Sequence, residues 1–267
     1  MNPNTETESD SRVKAVETSF EVIDSLKKLG GGKVTDIADE TGLSKGGVYK
    51  HLSTLMAHDF VVKNGSEYHL GFRFLDYGGW LRSHYIGSPI IRPQIQELAE
   101  VTNEVAMFAI REHARIITLF RENGNQGVST RTRLGRRMYP NQTAGGKAIL
   151  SQLPEEEVRA IVDSTGLPGE TRNTITTEAE LMEELETVRE RGYAFNVEES
   201  TKGLVAVAVP LVPEDTVIGA CSVAGPRHRM PRDRLDDEIV GMLLSVVNEL
   251  ELNINHSQES ADMFGYR

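Results

Sequence analysis

The apolar positions of residues 12–29 recur with the spacing of an α-helix, and they predict one helix over that segment. A run of three glycines that begins at Gly30 ends this helix, because glycine favours helix termini over helix interiors. The same spacing predicts a short second helix at 35–40 and a third helix at 45–58. Ser44 stands directly before the third helix and is a suitable N-cap for it. The chain is therefore predicted to begin with three helices.

A β-hairpin is predicted after the third helix. Residues 60–62 and 68–70 are rich in apolar and aromatic side chains, and an Asn-Gly pair between them favours a tight turn. Three helices followed by a hairpin are typical of a winged helix-turn-helix domain, whose third helix enters the DNA major groove. We assign this domain to residues 12–73. The same order of elements also suits a protein-docking module, and the pattern alone leaves that alternative open.

Residues 74–88 predict a connecting helix that is rich in aromatic side chains. Its apolar positions include Phe74, Tyr77, Trp80 and Tyr85. A single helix between two domains has no core of its own in which to bury them. We therefore expect these side chains to contact a second copy of the chain.

Helices and strands are mixed over residues 89–255, and this mixture predicts an α+β domain with a mostly antiparallel sheet flanked by helices. The predicted strands lie at 105–112, 115–122, 126–133, 193–195, 204–209 and 217–224, and the predicted helices at 90–103, 143–151, 154–162, 178–191 and 232–254. Two terminal segments remain. We predict a disordered acidic leader at 1–11 and a flexible tail at 256–267.

Two of the predicted strands carry only small side chains on one face. In 204–209 valines alternate with alanines such as Ala206, and in 217–224 Ser222 and Ala224 share a face. A sheet face of small residues leaves volume above it. That volume fits either a closely packed helix or a ligand, and the pattern does not choose between them.

Residues 143–147, with the sequence TAGGK, predict a helix N-terminus that suits an anion. Thr143 is a suitable N-cap, and neither Ala144 nor Gly145 has a bulky side chain to shield the backbone N–H groups. Such groups and the helix dipole favour a carboxylate or a phosphate, although the segment lacks the spacing of a P-loop. Close packing is the alternative use of the glycines. At Asn196, a role in a turn is the alternative to a contact with the same ligand.

The charge is distributed unevenly along the chain. The protein has 267 residues, and 40 Asp and Glu against 29 Lys and Arg give a net charge of −11. Seven of the nine lysines nevertheless lie in the first 63 residues, and residues 12–77 contain nine basic and nine acidic side chains. The acidity therefore belongs to the rest of the chain and does not exclude a polyanion from the first domain. Few lysines and many acidic residues resemble proteins of salt-loving organisms, but an ordinary acidic cytosolic protein also fits.

The sequence argues against several classes of protein. No apolar run is long enough for a membrane span and no signal segment opens the chain, so we expect a cytoplasmic protein. The single cysteine, Cys221, cannot form an internal disulfide, which fits a reducing compartment. The seven histidines lack metal-ligand spacing, and no nucleophile elbow or dinucleotide-binding fingerprint is present. We predict no enzyme, no metal and no cofactor.

The order and spacing of these motifs resemble the IclR family of transcriptional regulators over roughly residues 12–255. The resemblance rests on TGLSK at 41–45, VY at 48–49, YHLG at 68–71, TAGGKA at 143–148, GYAF at 192–195, EESTKGL at 198–204, VAVP at 207–210 and SVAGP at 222–226. It implies a winged helix-turn-helix domain and a GAF-like effector domain that work as a dimer or a tetramer. In this family an organic acid or a sugar-derived metabolite bound to the second domain changes operator binding. The scarcity of lysine suggests a haloarchaeal type of member.

The resemblance places an effector on the sheet face of small residues. The predicted effector-binding residues are Thr130, Ala144, Gly145, Asn196, Ala206, Ser222 and Ala224. Some members of the family carry a hydroxyl group where this chain has Ala224, and an acidic residue where it has Asn196. The polar contacts of the ligand are therefore expected to differ from those in such members.

DNA contacts are predicted on and around the third helix. Expected base-contacting residues are Lys45, Tyr49, Lys50 and His51, and expected phosphate-contacting residues are Thr35, Ser44 and Lys63. Members of the family often have hydroxyl-bearing residues where this chain has Gly46 and Gly47. These two glycines cost the helix about 1–2 kcal/mol together, but they let its backbone approach DNA closely.

Two functions follow from these observations. The leading hypothesis is a ligand-responsive transcription factor that binds double-stranded operator DNA as a homodimer or homotetramer. The alternative is a small-molecule sensor whose winged helix docks on a protein partner. The lysines of the third helix distinguish the two, since only DNA binding depends on their positive charge.

Overall fold

A computed structural model of the chain describes residues 12–127 and 132–256. The chain divides into two compact units, and the division falls between Leu81 and Arg82, within the segment predicted to connect two domains. Each unit has a hydrophobic core of its own. The predicted leader, Thr130 and the tail beyond residue 256 lie outside the described residues.

The first unit consists of three helices, a two-stranded hairpin and most of a fourth helix, whose last two residues fall in the second unit. These elements are α1 (Lys14–Leu29), α2 (Val34–Thr41), α3 (Lys45–Ala57), β1 (Val61–Asn64), β2 (Glu67–Leu70) and α4 (Arg73–Ser83). Val22, Ile37 and Leu52, one from each of the first three helices, are fully buried in the core between them. The prediction of a winged helix-turn-helix is confirmed.

Local sequence signals determine where these helices begin and end. Gly30 and Gly42 follow α1 and α2 with φ angles of 74° and 73°, a conformation that residues with a side chain rarely adopt. The Ser44 hydroxyl group accepts a hydrogen bond of 3.1 Å from the Gly47 N–H and caps the start of α3. The third helix therefore starts where the sequence predicts.

The hairpin and the aromatic helix differ most from the sequence prediction. The first strand of the hairpin runs on to Asn64, because Asn64 pairs with Glu67 across a turn of two residues. The aromatic helix α4 ends at Ser83 and does not include Tyr85. Tyr85 belongs to the second unit, where its hydroxyl group donates a hydrogen bond to the Ile218 carbonyl.

The second unit contains one antiparallel sheet with helices against it. Its elements are α5 (Ser88–Thr102), β3 (Val105–Glu112), β4 (Arg115–Asn123), β5 (Arg137–Met138), α6 (Ala144–Ser151), α7 (Glu155–Thr165), α8 (Glu178–Arg191), β6 (Ala194–Val197), β7 (Leu204–Leu211), β8 (Gly219–Pro226) and α9 (Val240–His256). The strand order is β5-β4-β3-β8-β7-β6, and each neighbouring pair is antiparallel. The predicted α+β class is confirmed.

One face of this sheet carries the larger core of the unit. Val205 and Val223 lie on that face and belong to one hydrophobic cluster with Ile95 of α5 and Leu250 of α9. Cys221 lies in the same cluster, and burial raises the pKa of its thiol to about 12. The valines predicted to share one face of the late strands therefore form the core.

The opposite face of the sheet carries the small side chains. Ala208 and Ala220 pack in one cluster with Ala148 of α6. Beside this cluster, Ala206 and Ala224 border an open pocket. Both uses of the small-residue face therefore occur, since a helix covers one part of it and a cavity lies over the adjacent part.

The strand predicted at 126–133 is wrong for the residues that the structure describes. The chain turns directly after β4, where the Gly127 N–H donates a hydrogen bond of 2.9 Å to the Gly124 carbonyl. Among the described residues that follow, strand pairing is next seen at Arg137 and Met138. The two glycines at 124 and 127 favour a turn over a strand.

The C-terminal helix predicted at 232–254 is not regular throughout. Residues Arg234–Ile239 form a π-helical turn directly before α9. The Arg234 side chain donates hydrogen bonds to the carbonyl groups of Arg229 and Thr102 at 2.8 and 2.9 Å. These bonds hold the widened turn against the end of α5. Such turns leave no mark on the apolar spacing from which the helix was predicted.

Candidate functional site

The helix α3 presents an exposed face near its start. Lys45, Gly46, Tyr49 and Lys50 are exposed, and Tyr49 retains 56% of its accessible surface. Val48 points to the opposite side and is fully buried. A helix with basic and aromatic groups on its free face has the chemistry that base edges and phosphates require.

Three residues of the predicted DNA-contacting set lie away from the exposed face of α3, namely Lys63, Thr35 and His51. Lys63 is exposed on β1, with its Nζ 5.3 Å from the ring centroid of Tyr68, and Thr35 is half-buried near the start of α2. His51 is half-buried, and its Nδ1 lies 2.9 Å from Ser19 Oγ. The His51 ring is therefore directed toward α1 and lies apart from the exposed face of α3.

The two glycines of α3 have different surroundings. A Cβ atom added at Gly46 would meet nothing within 4 Å, whereas one added at Gly47 would lie 3.2 Å from Ser44 Oγ. Packing within the chain therefore does not require a glycine at 46. A close approach of another molecule to the helix backbone would explain its presence.

Gly46→Ala is expected to stabilise the first unit by about 0.5–1 kcal/mol, because alanine is the better helix former. If α3 approaches DNA through its backbone at this point, the added methyl group also weakens DNA binding. Thermal unfolding and fluorescence anisotropy measure the two effects. Gly78→Ala is the matched control, because Gly78 lies in α4 and has equally open surroundings. Unchanged DNA affinity in both variants would contradict the close approach.

A pocket lies over the small-residue face of the sheet, beside the start of α6. The space between its walls is about 540 Å³, a volume that includes solvent at its open mouth. Six members of the predicted effector-binding set line it, namely Ala144, Gly145, Asn196, Ala206, Ser222 and Ala224. The structure thus brings together residues that are distant in the sequence, while Thr130 lies outside the described part.

The start of α6 borders this pocket with its backbone N–H groups. Thr143 Oγ1 accepts a hydrogen bond of 2.9 Å from the Gly146 N–H, and the Thr143 carbonyl accepts one of 3.0 Å from the Lys147 N–H. The first N–H groups of a helix have no partner within it, and here those are the groups of Ala144 and Gly145. An anion in the pocket would meet two donors and the positive end of the helix dipole.

The two glycines of α6 also have different roles. A Cβ atom at Gly146 would lie only 2.3 Å from the Pro140 carbonyl oxygen, so this glycine is required for close packing. A Cβ atom at Gly145 would make ordinary contacts of 3.7 and 3.9 Å with Ala109 and Ala220. Gly145 is therefore not required for packing, and its bare backbone borders the pocket.

Asn196 uses its amide group within the protein. Its Nδ2 donates hydrogen bonds to the Gln142 carbonyl at 2.7 Å and to Ser200 Oγ at 3.2 Å, and its Oδ1 accepts one of 3.0 Å from the Glu199 N–H. Asn196 lines the pocket, yet these bonds are those of a turn residue. It therefore holds the pocket wall in place and has no amide proton left for a ligand.

A buried group of charges lies behind the start of α6. Lys147 is 2% exposed, and its Nζ lies 2.9 Å from Glu199 Oε1 and 3.3 Å from Glu184 Oε1. Arg191 completes the group with a contact of 3.0 Å to Glu184 Oε1. Burial raises the pKa of the Glu199 carboxyl group, and the charge of Lys147 opposes this increase.

The remaining wall of the pocket lies outside the predicted effector-binding set. These lining residues are Met107, Ala109, Ile116, Thr118, Thr132, Met138, Thr143, Ser200 and Leu204. Met107 and Ala109 of β3 lie opposite Ser222 and Ala220 of β8, and Ile116 and Thr118 of β4 alternate in the same way. Strand pairing, which the sequence alone does not give, would have identified them. Met138 stands outside the long periodic segments, and no sequence signal marks it. Ser200 belongs to the EESTKGL segment of the family resemblance, but was not assigned to the effector.

Some features are absent from residues 12–127 and 132–256. No helix in these ranges is long and apolar enough to cross a membrane. No group of three or more His, Cys, Asp and Glu side chains in the same ranges is arranged to hold a metal ion. The pocket lining, as far as the structure describes it, also contains no charged side chain. An anionic ligand would therefore depend on backbone and hydroxyl groups.

Two family models match the chain, one for each unit. The model described as the IclR helix-turn-helix domain matches residues 15–65, and that described as Bacterial transcriptional regulator IclR C-terminal matches residues 84–251. The second match alone covers more than half of the chain. This chain belongs to the IclR family. As the family consists of transcriptional regulators, the IclR-type chain is a DNA-binding regulator with a ligand-binding C-terminal domain.

Known proteins resemble this IclR-family chain over nearly all of its length. A Halobacterium salinarum protein named probable HTH-type transcriptional regulator ArcR is 27% identical over 248 residues, which cover 91% of this chain and 94% of that protein. The crystal structure of Thermotoga maritima IclR has a TM-score of 0.77 and 24% identity, with coverage of 92% and 100%. An IclR homologue from Microbacterium hydrocarbonoxydans, complexed with 4-hydroxybenzoate, has a TM-score of 0.76 and 18% identity, with coverage of 91% and 100%.

The family assignment confirms the main functional prediction from the sequence. The chain is a regulator of the IclR type and not an enzyme. Docking of the winged helix on a protein partner is not favoured, because the matching domain is a helix-turn-helix of DNA-binding regulators. The residues that contact DNA and the effector remain predictions.

Proposed function

We propose that this IclR-family regulator binds double-stranded operator DNA as a dimer or a tetramer, and that a small carboxylate changes this binding from the pocket of the second unit. The proposal places the protein in the cytoplasm with the DNA. The single observation that carries it is the start of α6, where two unshielded N–H groups border the pocket.

The DNA-binding part of the proposal depends on α3. Lys45, Tyr49 and Lys50 form its exposed face and are proposed to contact base edges. Ser44 and Lys63 are exposed and Thr35 is half-buried on the same unit, and these three are proposed to contact phosphates. The net neutral charge of residues 12–77 supports this assignment, because the acidity of the protein lies elsewhere.

The chemistry of the pocket favours a carboxylate with a compact apolar body. The two N–H groups at the start of α6 suit one carboxylate group. The rest of the lining is mainly aliphatic or thioether-bearing, with Met107, Ile116 and Met138 on one side. Met107, Ile116 and Met138 offer no hydrogen-bond partner to the hydroxyl groups that a sugar acid would place against them, so an apolar body fits that side better. The 4-hydroxybenzoate bound by the Microbacterium homologue fits this description and is a suitable first probe.

The proposed association of two chains depends on apolar side chains that the first unit leaves exposed. Phe20 of α1 is 61% exposed, Phe72 is 86% exposed, and Leu75 and Trp80 of α4 are 68% and 51% exposed. Large exposed apolar side chains at this density mark interaction surfaces. Paired half-sites in operator DNA bind two copies of a regulator, so a second copy of the chain is proposed to cover these side chains.

Footprinting tests the proposed function directly. The purified chain is incubated with its own upstream region and with the promoters of neighbouring genes, with and without 4-hydroxybenzoate. We expect protection of a palindromic or paired site, and a changed extent of protection with the effector. The absence of any protected site under both conditions would contradict operator binding, and protection that no carboxylate changes would contradict the effector assignment.

Ala206→Leu is expected to weaken effector binding by about 10–100-fold, because the larger side chain occupies pocket volume that a ligand needs. Ala206 is 7% exposed and lines the pocket, so the added carbon atoms enter it. Isothermal titration calorimetry measures the change. Operator affinity without effector is the internal control and should stay within about twofold. An unchanged effector affinity would show that the ligand binds elsewhere.

A further inference from the structure

The Glu199 side chain is attached to the first turn of α6 without lining the pocket. Its carboxylate binds Lys147, which lies one turn after Thr143, the N-cap of that helix. Its backbone N–H donates a hydrogen bond to Asn196 Oδ1, and Asn196 in turn binds the Gln142 carbonyl directly before the helix. Glu199 therefore connects to both sides of the helix start that borders the pocket.

One carboxylate oxygen of Glu199 has no partner. Oε1 lies near Lys147 Nζ and accepts a hydrogen bond of 3.3 Å from the Val197 N–H. Oε2 is buried and has no hydrogen-bond partner in the part of the chain that the structure describes. A buried carboxylate oxygen without a donor is costly when the group is ionised, and protonation at that oxygen removes much of the cost.

The charges around Glu199 nearly cancel when it is ionised. Lys147 of α6 faces it directly, Glu184 of α8 faces the same lysine, and Arg191 of α8 contacts Glu184. The two positive and two negative side chains then give no net charge. With Glu199 protonated, the group behind the start of α6 carries one net positive charge. That charge attracts an anion at the helix start.

We propose that Glu199 is a positioning residue of the effector pocket, and that binding of an anionic effector is coupled to the uptake of one proton from solvent at Glu199 Oε2. The inference rests on the proposed carboxylate pocket. The anion repels the ionised carboxylate and favours its neutral form. By linkage, the protonated form then binds the anion more tightly, so that effector affinity is higher at low pH.

The stability of the folded protein should depend on pH in the same direction as effector affinity, and should fall as pH rises. The pKa of Glu199 is raised above its ordinary value, chiefly by burial. The neutral carboxyl group therefore contributes stability that is fully present below the ordinary pKa and is lost as pH rises through the raised pKa. Glu199→Gln keeps the shape of the side chain and removes this pH dependence.

The test measures 4-hydroxybenzoate affinity by calorimetry between about pH 6 and pH 8, where this carboxylate stays ionised. In the unmodified protein, we expect the affinity to fall as pH rises, by up to about tenfold per pH unit. In the Glu199→Gln variant it should stay nearly constant, at the low-pH value of the unmodified protein. Glu184→Gln is the matched control, because Glu184 also contacts Lys147 but is more exposed, and it should retain the pH dependence.

A second measurement distinguishes a positioning role of Glu199 from a general loss of folded structure in the variant. The thermal stability of both proteins without ligand is followed over the same pH range, and the two should differ only in the pH-dependent part. The same pH slope of affinity in the unmodified protein and in Glu199→Gln would overturn the role of Glu199 while leaving the carboxylate pocket intact. Failure of the folded unmodified protein to bind the probe at any pH would overturn the pocket and this inference with it.

Discussion

Replacement of Lys45 and Lys50 by glutamate is expected to reduce operator affinity by at least about 100-fold. Both side chains are exposed on the free face of α3, where a base edge or phosphate would lie. The double variant removes two positive charges and adds two negative ones that DNA repels. Fluorescence anisotropy with an operator duplex at fixed salt measures the loss, since phosphate contacts depend steeply on salt concentration.

Lys14→Glu combined with Lys27→Glu is the matched control. Both lysines are exposed on α1 of the same unit, so the change in net charge is equal but does not involve α3. This variant should retain most of its operator affinity. An equal loss in both double variants would point to general repulsion. Retained binding after the α3 substitutions would contradict α3 as the recognition helix.

Lys147→Ala is expected to destabilise the second unit by about 3–5 kcal/mol, the range for removal of one partner of a buried ion pair. Lys147 is 2% exposed, so the variant leaves the buried Glu199 carboxylate without its counter-charge and creates a cavity beneath α6. Urea unfolding monitors the change. Lys202→Ala, at an exposed position in the same unit, is the control and should change the stability by less than about 0.5 kcal/mol.

The pH dependence of this loss provides an additional check. Without Lys147, the pKa of Glu199 rises further, because the charge that opposes the effect of burial is gone. The destabilisation should therefore be smallest in acid, where Glu199 is neutral, and should increase as pH rises. A loss that is independent of pH would indicate that the cavity dominates and that the ion pair contributes little.

The helices and strands whose apolar residues recur at a regular spacing were the part of the fold that could be predicted. The helices of the first unit and the two late strands were predicted from positions such as Leu26, Leu52 and Val207, all of which are buried. Part of the predicted apolar face of α1 is nevertheless exposed, namely Val13, Val16 and Phe20. Periodicity does not report local hydrogen bonding. The turn at Gly127 and the π-helical turn at Arg234–Ile239 depend on single bonds between groups that no spacing reveals.

The candidate pocket was only partly predictable, for a related reason. Residues Ala206 and Ala224 were found because their small size is visible in a strand that otherwise carries valines, and the two lie opposite each other in the pairing of β7 with β8. The buried pair of Lys147 and Glu199 joins residues 52 positions apart. Its lysine belongs to a recognised motif, but nothing in the sequence indicates which carboxylate it meets.

The burial of Cys221 has a practical consequence for experiments on this protein. The thiol is fully buried and its pKa is raised to about 12, so almost no reactive thiolate exists at neutral pH. Cys221 is also the only cysteine in the chain. A cysteine introduced at an exposed position, such as Ser66 in the turn of the hairpin, would therefore be the one site that a maleimide dye labels. The natural chain already serves as the background for single-site labelling.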